Sequence, residues 1–171
     1  MLANSGSARR LRILVYANVK RDEAGGAQAV VRSLRDHLSN QGHQVSTGWN
    51  SENEPGVHEA CEWVEHFPAR VGQRRWLHVP TAIRLFVRLL RVRPDVVNIH
   101  FASTSSRYFY ALAPLLGYRT VLTCHGSDVL RSLPQDTPHL ATIISGADVV
   151  TAVSQDIADK VCESQGGNPG L

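Results

Sequence analysis

Residues 121–130 read V-L-T-C-H-G-S-D-V-L, an apolar and β-branched run that breaks into His125, Gly126, Ser127 and Asp128. An imidazole beside a glycine, three positions from a carboxylate, suits general acid–base work or the binding of a hydroxyl-rich ligand. Histidine titrates near neutrality, Gly126 leaves the backbone accessible, and Asp128 could orient the ring or take a ligand hydroxyl. The plainer role for Asp128 is an N-cap for the turn that follows. Three other apolar runs, 13–17, 96–100 and 149–154, also end in small or polar residues. If all four are parallel strands, His100, His125, Ser154 and the Gly25-Gly26 pair share the carboxyl edge of one sheet, where open α/β folds bind ligands.

The remaining candidates divide between chemistry and architecture. The first loop, K-R-D-E-A-G-G-A, matches neither the G-x-G-x-x-G dinucleotide fingerprint nor the Walker A pattern, which argues against an ordinary NAD or ATP site. Gly25 and Gly26 serve either a tight turn with unusual dihedrals or the close approach of backbone N–H groups to phosphate or hydroxyl oxygens at a helix start. His100 is either a hydrogen-bonded structural histidine or a ligand contact. Ser154 lacks a nucleophile elbow and reads as a helix cap. Cys124 neighbours His125, but adjacent strand residues point to opposite faces, so Cys124 reads as core. No metal-ligand spacing is present.

These residues need a frame, and the chain supplies alternating strands and helices. Residues 11–17 read as a first strand, 27–40 as a helix stopped at Gly42, and 44–49 as a second strand. Residues 50–57 read as a surface loop and 61–67 as a short strand. A helix over 80–92 has Pro80 near its start and ends at Arg93-Pro94. Then come a strand over 95–100, a helix over 105–116 ended by Gly117, and a strand over 119–124. A further helix spans 139–145, a strand 148–153, and a last helix 155–162. This pattern predicts an α/β, Rossmann-like parallel sheet with helices on both faces, as one domain over residues 11–162. Residues 1–10 read as a flexible arm and 163–171 as a linker remnant.

Composition sets the bounds. The 171 residues are 43% hydrophobic and 19% charged, enough for one substantial core. A formal charge of +3 is too small to argue for nucleic acid. Every charged residue from 70 to 93 is an arginine, however, and Arg84, Arg88 and Arg91 fall on one helical face. That face is either solvated or lies on an anionic membrane surface. Three scattered cysteines form no disulfide framework and fit a reducing compartment. No stretch approaches a bilayer span or a signal peptide, so a cytoplasmic location is expected, with any membrane contact peripheral.

The succession L-R-I-L-V-Y, A-G-G-A-Q-A-V-V-R-S-L with G-H-Q-V downstream, R-P-D-V-V-N-I-H, V-L-T-C-H-G-S-D and A-D-V-V-T-A-V-S resembles the N-terminal domain of the retaining "group 1", family 4-like glycosyltransferases of GT-B fold. The resemblance runs from about Leu11 to Val161. It implies transfer of a sugar from a nucleotide-diphosphate donor to the hydroxyl of a glycan, lipid-linked or small-molecule acceptor, with retention and without a metal or other cofactor. It also implies that this half mainly holds the acceptor. By the same resemblance, Gly25 and Gly26 approach donor phosphate and acceptor, His125 contacts the donor sugar, and Gly126 and Asp128 flank it. A second domain carrying a spaced glutamate pair and basic residues for the diphosphate would be the essential partner, and the chain alone would be inactive. The competing expectation is a stand-alone binding module for a sugar, a nucleotide or a protein. A weaker third is an unrelated Rossmann-like hydrolase using His125 and Asp128.

Overall fold

The β-branched and aliphatic run R-I-L-V-Y-A forms β1, Arg12–Ala17, and its inner five residues are all buried, as a strand covered on both faces requires. The computed structural model describes residues 9–19, 25–50, 56–59, 62–65, 78–129 and 137–165. In chain order the elements after β1 are α1 (Gly26–Asn40), β2 (Gln44–Asn50), β3 (Gly56–Glu59), β4 (Glu62–Glu65) and α2 (His78–Val92). They continue with β5 (Val96–His100), α3 (Ser106–Leu116), β6 (Arg119–Cys124), α4 (Gly126–Val129), α5 (Thr137–Ser145), β7 (Val149–Ala152) and α6 (Gln155–Ser164).

The seven strands lie in the order β3-β4-β2-β1-β5-β6-β7. Six of them are parallel and β3 alone runs antiparallel, against β4. The expected Rossmann-like frame is therefore present, with one correction at its edge. Residues 56–57, read from their composition as loop, belong to β3, which pairs antiparallel with β4. Arg70, Arg74 and Arg75 of the arginine-rich stretch lie outside the described residues, as do 132–136 and most of the two termini.

Two cores follow from the alternation of side chains along each strand. One face carries Leu14, Tyr16, Val97, Ile99, Leu122 and Cys124, covered by α2 through Leu85 and Leu89, by Phe109 of α3, by Ile143 and Ile144 of α5 and by Ile157 and Val161 of α6. The other face carries Ile13, Val15, Ala17, Val45 and Trp49, closed by Val31 of α1 with Leu34 and Leu38 beside it. Burial of each such side chain is worth about 1.5–3 kcal/mol.

Local signals set most helix ends. Gly117 ends α3 in the left-handed region at φ 74°, where glycine pays no Cβ penalty. Ser154 caps α6, its hydroxyl accepting the N–H of Ile157 at 3.4 Å. α6 runs to Ser164, two residues past its expected end, so 163 and 164 are helix and not linker. α2 begins at His78 rather than at Pro80. Proline is tolerated there because the first turn of a helix leaves its N–H groups unbonded. Arg93, after α2, sits at φ 46°, left-handed rather than extended, with its N–H on the carbonyl of Leu89. No helix among the described residues is long and apolar enough to cross a membrane.

Candidate functional site

Parallel pairing brings the predicted residues to one rim. β5 and β6 pair His100 with Thr123, and the two-residue period of a strand repeats Thr123's side at His125. The result is a direct contact: His100 Nδ1 lies 3.0 Å from His125 Nε2. Both rings are buried, His100 to 1% exposed and His125 to 8%. Phe101 stacks on His125, with ring centroids 4.3 Å apart and planes at 19°. To do so Phe101 adopts φ 74°, a strained region for a bulky residue.

Burial disfavours the charged imidazolium, and both histidines respond. The pKa of His100 is lowered to about 4 by desolvation and then by the neighbouring His125. That of His125 is also lowered, by desolvation. Both rings are neutral at pH 7.

Asp128 has a different job from the one expected of a ring-orienting carboxylate. Its oxygens take the backbone N–H of Ala102 at 2.7 Å and of His125 at 2.9 Å, pinning the loop after β5 to the loop after β6. Burial raises its pKa to about 6 even though those donors favour the carboxylate. The ring of His125 is held by His100 and Phe101. Gly126 opens α4 directly after His125. Cys124 is fully buried in the larger core, and desolvation pushes its thiol up to about 12, so it is packing and not a nucleophile.

The glycine pair lies at the start of α1, on the same edge of the sheet. Gly25 has φ −160° and ψ 160°, extended backbone open to any residue, and neither Gly25 nor Gly26 lies in the left-handed region. The tight-turn explanation therefore fails. A Cβ on Gly26 would meet nothing within 4 Å, and one on Gly25 would meet only the movable end of Gln28, at 2.6 Å. Among the described residues α1 has no side-chain hydrogen bond from its N-cap position and no acidic residue in its first turn, so no carboxylate there offsets its positive dipole end.

Sequence reasoning missed the polar brace behind this rim. Asn18, directly after β1, gives its N–H to the carbonyl of His100 at 3.3 Å, while its side-chain oxygen accepts Asn50 at 2.8 Å and Ser105 at 3.3 Å. A polar residue at the exit of every central strand was the available signal. Arg84, Arg88 and Arg91 belong to α2, and no group of three His, Cys, Asp or Glu among the described residues could hold a metal ion.

A parallel sheet of this order, with a strand-end histidine pair and a two-glycine helix start on its carboxyl rim, is a Rossmann-like domain with one polar candidate ligand edge. The family model of Glycosyltransferase Family 4 matches residues 24–170, and the chain belongs to that family. Among solved structures it is similar to an alpha-glucosyltransferase in complex with UDP and a 13-mer DNA containing a HMU base, at 15% identity and a TM-score of 0.58, covering 95% of this chain and 41% of that one. A second such complex gives 12% identity and a TM-score of 0.50, covering 84% of this chain and 38% of that one. The chain thus spans about two fifths of their length, and at these identities the likeness shows the fold alone. The DNA in both complexes means that the expected absence of a nucleic-acid partner draws no support from them. Compared with curated proteins, the sequence finds no significant match.

Proposed function

We propose that this chain is the acceptor-side half of a retaining glycosyltransferase that moves a sugar from a nucleotide diphosphate to an acceptor hydroxyl. The observation that carries the reading is the Gly25-Gly26 pair: two glycines that no backbone dihedral demands, at a helix start with no side-chain cap, on the rim that holds His125. Side chains kept away from free N–H groups make room for a phosphate or hydroxyl oxygen. His125 then contacts the donor sugar, with Gly126 beside it and Asp128 fixing the loop that carries it. His100, nearly fully buried, stands behind His125 rather than at the ligand.

The family likeness supplies the rest of the mechanism. A second domain brings basic groups to the diphosphate, because a departing anion is stabilised by donors aimed at it from the far wall. The diphosphate itself assists attack from the same face of the sugar, which gives retention. Alone, the chain turns nothing over. The hydrolase reading loses ground because the Asp128 carboxylate is engaged by two backbone N–H groups.

The same proposal places the enzyme at an anionic membrane surface through α2. Thr81, Leu85 and Leu89 of this helix face the core, yet Val79, Ile83, Val87 and Leu90 are between 38 and 57% exposed. At 100° per residue these four fall within about 80° of arc, and the three arginines occupy the arc beside them. An apolar stripe flanked by arginines suits an interface of headgroups and acyl chains.

The test of the transfer reading uses the whole enzyme with a panel of nucleotide-diphosphate hexoses. Donor consumption that needs an acceptor, with a product of the donor's anomeric configuration by NMR, supports it. Donor hydrolysis without transfer, or inversion, overturns it.

A further inference from the structure

Two neutral imidazoles in contact share one proton, and its position decides what the outer ring can offer a ligand. Two arrangements fit the 3.0 Å contact. In the first, His100 Nδ1–H donates to His125 Nε2, which leaves His100 Nε2 as a bare lone pair and puts the proton of His125 on Nδ1. In the second, His125 Nε2–H donates to His100 Nδ1, and His100 must then carry its own proton on Nε2.

The surroundings of His100 separate the two. Its Nε2 is buried and has no hydrogen-bond partner among the described residues. The second arrangement would bury an N–H with no acceptor, whereas the first buries only a lone pair. Orphaned donors are the rarer in folded proteins because a buried polar hydrogen gives up its water without replacement.

We propose that His100 is a positioning residue: its Nδ1–H donates to His125 Nε2 and holds His125 in the tautomer that presents Nδ1–H at the rim. Phe101, stacked on His125, fixes the plane of that ring. Nδ1 of His125 has no protein partner among the described residues, so its proton is available to an oxygen of the ligand. The inference rests on the reading of His125 as a ligand contact and sharpens it. With Nε2 accepting from His100 and Nδ1 protonated, the ring has no lone pair left to take a proton from an acceptor hydroxyl. His125 is a hydrogen-bond donor to a sugar or phosphate oxygen and not a general base.

The experiment is a long-range proton–nitrogen NMR spectrum of the 171-residue chain labelled with 15N-histidine, at neutral pH and without ligand. His100→Gln and His125→Gln samples assign the two rings. The expected spectrum shows His125 protonated on Nδ1 with Nε2 as acceptor, and His100 protonated on Nδ1. In His100→Leu the proton of His125 shifts to Nε2, the form a free imidazole prefers. His125 protonated on Nε2 in the unmodified chain overturns the proposal whether or not the leucine variant folds, and so does an unmoved proton in a folded His100→Leu. No ligand is present, so this result is separate from the fate of the transfer reading, which shows in the turnover of the whole enzyme.

Discussion

The carboxylate of Asp128 accepts the backbone N–H of Ala102 at 2.7 Å, across 26 positions of sequence, and so ties the exit of β5 to the exit of β6. With the N–H of His125 on its other oxygen, it sets the distance between the loops that carry the histidine pair. Asp128→Ala leaves two part-buried donors without acceptors and is expected to cost about 1–3 kcal/mol, read as a lower urea midpoint at unchanged slope. Stability also acquires a pH signature here. The folded pKa of about 6 lies above the ordinary 3.8, so this group's contribution is fully present below about pH 4 and lost as pH rises through 6. Asp148 acts in the opposite sense. Hydrogen bonds from Thr120 and Arg119 hold its pKa at about 2, and its contribution is lost only as pH falls from 3.8 through 2. Between pH 4 and 6 His100 and His125, whose folded pKa values are lowered, act in the opposite sense, so the Asp128 contribution is read as a difference: the melting temperature of Asp128→Asn relative to the parent should climb from pH 4 to 6.

Gly26→Ala separates fold from function. The new methyl group meets nothing within 4 Å and alanine suits a helix, so stability should stay within about 1 kcal/mol of the parent. By the proposed function, turnover by the whole enzyme should fall at least tenfold, because the methyl would stand where a ligand oxygen is proposed to approach. Equal turnover would return the glycine pair to a structural role.

Gly146→Ala is the converse. A Cβ there would lie 2.6 and 2.8 Å from two atoms of the Tyr110 ring, and a packed aromatic ring cannot give way as the end of a flexible side chain does. The expected loss is about 1–3 kcal/mol by denaturant titration, with little change in the affinity of the folded whole enzyme for its donor.

Binding of the chain to vesicles tests the α2 surface. Each arginine near an anionic surface contributes about 1 kcal/mol, so reversing Arg84, Arg88 and Arg91 to glutamate should weaken binding to phosphatidylglycerol vesicles more than a hundredfold. Ile83→Ser should weaken it less, through the apolar stripe. Equal binding to phosphatidylcholine vesicles would remove the anionic surface from the account, and binding to neither would remove the membrane.

The order of elements was legible because the central strands and their helices announce themselves locally, through continuous apolar runs, Gly117 and Ser154. The edge was not. Gly56–Glu59 has a loop's composition and becomes β3 only through pairing with β4, a nonlocal fact. The rim was half legible: parallel strands implied that His100 and His125 share an edge, but not that they touch. The partner of Asp128, Ala102, carries no signature at all, since a backbone N–H is present at every residue but proline. Periodicity showed the arginine face of α2 and did not distinguish Leu85 and Leu89, which pack inward, from Ile83 and Leu90, which stay out.

The most direct measurement is the rate of donor consumption by the whole enzyme with His125→Asn, alongside its melting temperature. The account predicts a loss of about a hundredfold or more in kcat/KM, about 2.7 kcal/mol of transition-state stabilisation, in a variant that still melts cooperatively near the parent's temperature. A folded variant that turns over at the parent's rate would contradict it.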